Sequence, residues 1–123
     1  MNNRGQSLVL FVLVIPIILL ILVMVVDIGK MVLKKTEMDN INKLAISYGI
    51  DKIDSDPYKI INDIIRKNNS DINIKKIDIK DEKIEVKLEE EVKFILFKNS
   101  NLVKINSNYI GYIDNNKKVI ERN

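Results

Sequence analysis

The chain has 123 residues, with 20 Lys and Arg against 17 Asp and Glu, a formal net charge of +3, and neither cysteine nor histidine. Without cysteine there is no disulfide framework and no thiolate metal site; without histidine the commonest general base and the commonest metal ligand are both gone. From residue 27 onward the charges are nineteen basic and seventeen acidic, interleaved as on a solvated surface, and no basic patch interleaved with aromatics points to nucleic acid.

Residues 1–7 form a short polar leader, MNNRGQS, with Arg4 its only charged side chain. Leu8 to Val26, LVLFVLVIPIILLILVMVV, then runs for nineteen residues without a charge. As a helix this stretch is about 28 Å long, close to the roughly 30 Å of a bilayer core. An amphipathic surface helix would carry a polar face, so a transmembrane helix over 8–26 is expected in preference to a buried core helix. The run exceeds the apolar region of a secretory signal peptide and ends Met24-Val25-Val26-Asp27 with no small-residue cleavage site, so it is expected to stay as an anchor in membrane lipid. Pro16 interrupts the hydrogen-bond ladder, a cost that membrane helices absorb better than soluble ones. It reads either as a plain kink or as a point of local unwinding.

Asp27 opens a stalk helix over residues 27–50. Apolar residues recur at Met31, Met38, Ile41, Ala45 and Tyr48, a seven-residue repeat with Lys34 in one slot. Gly49 reads as its C-terminal stop. The stalk packs either on its own domain or along a seam with another subunit. A second helix begins at Pro57 behind an Asp56 cap, shows an apolar face of Ile60, Ile61, Ile64 and Ile65, places Arg66 and Lys67 at its negative end, and breaks at Asn68-Asn69-Ser70.

From Ile72 the period becomes two. Ile72 and Ile74, then Ile77 and Ile79, slip phase at Lys75-Lys76, which predicts a bulge. Asp81-Glu82-Lys83 is a hairpin connection. Ile84, Val86, Leu88, Val92, Phe94 and Leu96 share one parity, with a break expected near Glu89-Glu90-Glu91. A further strand covers roughly Leu102 to Ile113, and the polar tail from Asn115 is expected to fray. Residues 51–123 therefore read as a small domain of one helix and three or four antiparallel strands, its sheet covered by the Ile60–Ile65 face. The class is α+β.

Chemistry is sparse. Glu89-Glu90-Glu91 alternates across a strand and reads as a solvated face rather than a metal cluster. Asp51, Asp54 and Asp56 lack the glycine of a calcium loop and read as helix capping. No phosphate loop or nucleophile elbow is present. No catalytic, metal or cofactor site is expected, and the chain reads as a non-enzyme.

Arg4-Gly5-Gln6-Ser7-Leu8-Val9, then Phe11, Pro16 and Asp27-Ile28-Gly29-Lys30, resemble the TadE-like minor pilins, or pseudopilins, of the tight-adherence (Tad) pilus. The likeness covers about residues 4–30. It implies cutting between Gly5 and Gln6 by a prepilin-type peptidase on the cytoplasmic side, where a glycine lets backbone and protease approach. It also implies assembly with other pilin-like or secretion-apparatus subunits through the apolar helix, from Leu8, Phe11 and Pro16 to Val26 and Asp27. One position departs from the pattern: Leu10 stands where the family has a glutamate, the carboxylate thought to neutralise a neighbour's N-terminal amine. Leu10 points either to a subunit that enters filaments rarely or to one that is not cleaved.

Lys30, Lys34, Lys35 and Lys43 after the run outweigh Arg4 and the Met1 amine before it. The positive-inside rule thus favours a cytoplasmic C-terminal side, whereas the resemblance implies a single-pass protein of the cell membrane with its C-terminal domain outside. The expectation follows the resemblance. Two other functions fit the same chain: an uncleaved single-pass protein with a small interaction domain in a secretion or conjugation complex, and an anchored regulator facing the cytoplasm.

Overall fold

The computed structural model describes residues 3–95 and 103–123. Its elements are α1 (Asn3–Asp51), α2 (Pro57–Asn68), β1 (Asn73–Lys80), β2 (Lys83–Val92), β3 (Val103–Asp114) and β4 (Lys117–Arg122). The class is α+β as expected, a long apolar N-terminal helix followed by a second helix and a four-stranded antiparallel sheet of order β1-β2-β3-β4.

The 49 residues of α1 make a rod about 74 Å long. No described side chain from Asn3 to Val26 is buried, and α1 continues through Pro16. Beyond Asp27 the same helix becomes the centre of the domain. Met38, Ile41, Asn42, Ala45, Ile46, Gly49 and Ile50 are buried; the steps of three and four residues draw one stripe along the helix. The seven-residue repeat finds part of this stripe, since Met38, Ile41 and Ala45 are buried and Met31 packs against the core. Tyr48 is exposed instead, because a straight helix drifts about 20° per heptad and carries the column of Lys34, Ile41 and Tyr48 off the stripe in which Gly49 lies.

Gly49 is therefore not a stop: α1 runs on to Asp51. A Cβ on Gly49 would lie 2.8 Å from Ile61 Cδ1 and 3.1 Å from Ile84 Cδ1, so the glycine makes room for the crossing of α2. That helix starts as predicted, with the Asp56 carboxylate accepting from Lys59 N at 3.3 Å and Pro57 in the first turn. It closes with Asn69 N donating to Ile65 O at 2.9 Å. The Arg66 guanidinium then donates to Ser70 O (3.1 Å) and Ile72 O (2.9 Å), folding the chain back toward β1.

The cover of the sheet differs from expectation. α1 lies over the central strands β2 and β3, pinned there by Asn42, while Ile61 and Ile65 of α2 fill the space between α1 and the β1 side. The bulge falls where the phase slips: Ile74 pairs with Leu88 and Lys76 with Lys87, leaving Lys75 extra. β2 is unbroken through Glu89-Glu90-Glu91, each paired with β3. The strand ends at Val92, and Phe94 packs half-buried on the core; Leu96 and Leu102 lie outside the described residues.

The tail does not fray. Asn115 and Asn116 take φ of 51° and 64°, a two-residue turn with both centres left-handed, which is the type I′ connection whose twist suits a hairpin. β4 returns along β3 from Asp114↔Lys117 to Tyr109↔Arg122. Asp81 and Glu82, at 52° and 61°, make the equivalent turn between β1 and β2.

Candidate functional site

The residues singled out in the sequence fall on two surfaces: the bare half of α1, and the junction where it enters the domain. On the first, Leu8, Phe11 and Val26 are exposed, and α1 is by length and composition able to cross a membrane. Gly5 and Gln6 fall near the start of α1, where the first N–H groups have no helical partner, and a Cβ on Gly5 would meet nothing within 4 Å. Pro16 leaves the Val12 carbonyl without its donor four residues on.

Asp27 behaves differently from the rest of the run. It is buried, and Ile95 N donates to its Oδ1 at 2.9 Å. The segment after β2 thus closes onto the helix where the charge-free run ends. One to two turns on, the Glu90 carboxylate lies 3.3 Å from Lys34 Nζ, and Lys34 also reaches Glu37 at 4.0 Å. Glu90 was expected on a solvated face but is buried. It does leave Glu89 and Glu91, as the pleat requires, and turns toward α1 with Val86, Leu88 and Val92. A cleft of about 400 Å³ opens beside it between Lys30, Leu33, Lys34 and Lys93.

Deeper in the seam, Asn42 Nδ2 donates to Val86 O (3.1 Å), Ser107 O (3.3 Å) and Ser107 Oγ (3.2 Å). Ser107 Oγ donates to Asp39 Oδ1 at 2.6 Å. Lys35 Nζ lies 3.1 Å from the same carboxylate and also donates to Asn106 O; Arg122 approaches Asp39 at 3.7 Å. Ser107 and Asn42 are fully buried, so this Ser–Asp contact has no path to a substrate. It fixes the register of α1 on β2 and β3. At the far end Lys118 pairs with Asp51 at 2.7 Å and donates to Ser47 O, tying β4 to the same helix.

The sheet's outer face is charged and open, with Lys76 paired to Glu85 at 2.8 Å, and Lys75 and Lys104 on either side of Glu89. The hydrogen bond to Glu85 raises the Lys76 ammonium above its ordinary range, and Glu121 does the same for the Tyr112 phenol. Of the three aspartates before α2, Asp56 caps the helix, Asp51 meets Lys118, and Asp54 is exposed. Among the described residues no three carboxylates converge as a metal site.

Sequence reasoning passed over Asn42, Ser107 and Gly111, and placed Glu90 in solvent. A signal existed for two. Asn42 sits four residues from both Met38 and Ile46, inside the stripe, and Glu90 shares the parity of Leu88 and Val92. Comparison of the chain with family models, curated proteins and solved structures finds no match.

Proposed function

We propose that this protein is a membrane-anchored structural subunit, a minor pilin-like component of a Tad-type pilus or a related secretion apparatus. The observation that carries the reading is the continuity of α1: the apolar rod passes Asp27 without interruption and becomes the core helix of the domain. A segment discarded behind Val26 would end in the middle of a helix whose next turns hold the domain together. The Arg4-Gly5-Gln6-Ser7 start with Phe11, Pro16 and Asp27-Ile28-Gly29-Lys30 in register supports the pilin-like class. In this mechanism the peptidase cuts between Gly5 and Gln6, the helix waits in the bilayer with the domain outside the cytoplasm, and assembly packs the helix against equivalent helices.

Mass spectrometry of the protein from cells containing the peptidase is expected to show a chain beginning at Gln6, and Gly5→Val to accumulate full-length precursor. An intact Met1 in those cells would end the pilin-like mechanism. A second reading rests on Leu10, which lacks the carboxylate that would receive a neighbour's amine. In it the chain is an uncleaved single-pass protein presenting its domain within a secretion or conjugation complex, and the intact mass is its signature. External protease applied to intact cells separates both from an anchored cytoplasmic-facing regulator, whose domain would be protected.

A further inference from the structure

The charge-free run stops at Val26, yet the apolar surface does not. Around α1, Ile28 (54% exposed), Val32 (57%) and Leu33 (73%) extend the run by two more turns. The next exposed residues of α1 are Thr36, Glu37 and Asn40, all polar, and the apolar surface returns only at Leu44 (43% exposed), about three turns above Leu33. The surroundings for which this surface is made therefore change between Leu33 and Thr36. From Leu8 to Leu33 the rod measures about 39 Å. That is longer than the ~30 Å hydrocarbon core and close to the ~40–45 Å of a bilayer with its headgroup regions.

The domain side agrees. Asp27, the first charge after the run, is buried with Ile95 N on its carboxylate, so no bare carboxylate faces acyl chains at that depth. Ile95 itself, held at the level of Asp27, is 50% exposed. Lys30 and Lys93 flank the same edge, with stems long enough to lie on apolar surface while their ammonium groups reach phosphates.

The geometry points to a lower edge of the domain sunk in the headgroup layer, with Ile28, Val32 and Leu33 around α1 and Ile95 of the adjoining segment in contact with phospholipid. This rests on the proposed membrane anchoring and adds to it a depth: the domain does not stand clear of the bilayer on a stalk. Lipid is favoured over a second copy of the chain because the patch continues the lipid-facing span without a polar break. It also wraps around α1, with about 140° between Ile28 and Leu33 by helix geometry, as a surrounding medium requires and a single partner does not.

The absence of cysteine makes site-specific labelling direct. Leu20→Cys, Val32→Cys, Leu33→Cys, Ile95→Cys and Lys43→Cys, each carrying a bimane fluorophore, would be reconstituted as full chains in phosphatidylcholine–phosphatidylglycerol vesicles. Nitroxide-headgroup lipid and aqueous iodide then serve as quenchers. The labels at 32, 33 and 95 are expected to lose most of their emission to the lipid quencher and to resist iodide, with the reverse at 43. Iodide-accessible, lipid-insensitive labels at 32, 33 and 95 would overturn the proposal. So would a resistance to iodide that vanishes when the protein is diluted in lipid, which would assign the patch to a second copy. The label at 20 reports the anchor separately: if acyl-chain nitroxides quench it while 32 and 95 stay wet, the anchor stands and only the depth falls; if they do not, both fall.

Discussion

Alanine at Gly111 tests how closely α1 lies on the sheet. Gly111 is on β3, between Ile84 of β2 and Ile120 of β4. A Cβ there would collide with Ile46 Cγ2 and stand 3.1 Å from Ile50 Cδ1. Its φ is not positive, so the cost is one of packing and not of backbone. Overpacking of this kind costs about 1–3 kcal/mol. In a domain of roughly 100 residues each kcal/mol moves the melting midpoint by about 4–8 °C, so Gly111→Ala is expected to lower it by between about 4 and 24 °C. Ile46→Ala alone opens a cavity and costs about 2–5 kcal/mol. In the double variant the new methyl enters the space that Ile46 Cγ2 left, and the combined loss falls short of the sum by on the order of 1 kcal/mol. The assay is thermal unfolding of the full chain in detergent, followed by near-ultraviolet dichroism. That signal reports the tyrosines, including buried Tyr109, and is blind to a detergent-held helix that stays folded. A Gly111→Ala midpoint equal to that of the parent, or a strictly additive cycle, would refute the close approach.

Removing the pin at Asn42 with alanine deprives Val86 O and Ser107 of a buried donor, and should cost about 1–3 kcal/mol, read as a lower urea midpoint at unchanged slope; an unmoved midpoint would make the contact incidental. Glu82 has φ of 61°, a region that costs most side chains about 1–2 kcal/mol. Glu82→Gly should therefore raise stability by up to about 1 kcal/mol net of glycine's entropy, while Glu82→Val lowers it by about 1–2 kcal/mol. Equal midpoints for the two would remove the left-handed turn. The Tyr112 hydroxyl donates to Glu121 at 2.8 Å, which raises its phenol above the ordinary 10.0. Because the folded value exceeds the unfolded one, the contact stabilises fully below pH 10 and is lost as pH climbs through the raised value. Ultraviolet titration of the parent should show one tyrosine ionising late, and Glu121→Gln should bring it down; superimposable curves would contradict the contact.

The elements legible in the sequence are those whose signal is local. The α2 cap is written in Asp56-Pro57, the bulge in a phase slip at Lys75-Lys76, and the apolar rod in nineteen consecutive residues. Harder to read were features whose partner is distant. Nothing near Asp27 announces Ile95, 68 positions away, and nothing near Ile46 announces that Gly111 will lie beneath it. β4 escaped because Lys117–Arg122 is polar and alternates weakly: its inward positions are Ile120 with Lys118 and Arg122, the latter two spent on Asp51 and Asp39. Asn115-Asn116 was the readable cue, since asparagine tolerates the left-handed region. Glu90 was placed in solvent and Asn42 passed over because polarity alone suggested it, although their periodicity placed them inside.

Because one uninterrupted helix serves as both mast and keel, the domain has no swivel. A twist of the lower rod about its own axis must turn the sheet by the same angle, carrying the charged outer strands to face a new direction. Traction along the rod arrives as shear, spread at once over the Asn42 bonds, the Asp51–Lys118 clasp and the socket at Gly111, instead of peeling strands one by one. Whatever pulls on the rod is therefore felt by the whole seam between helix and sheet.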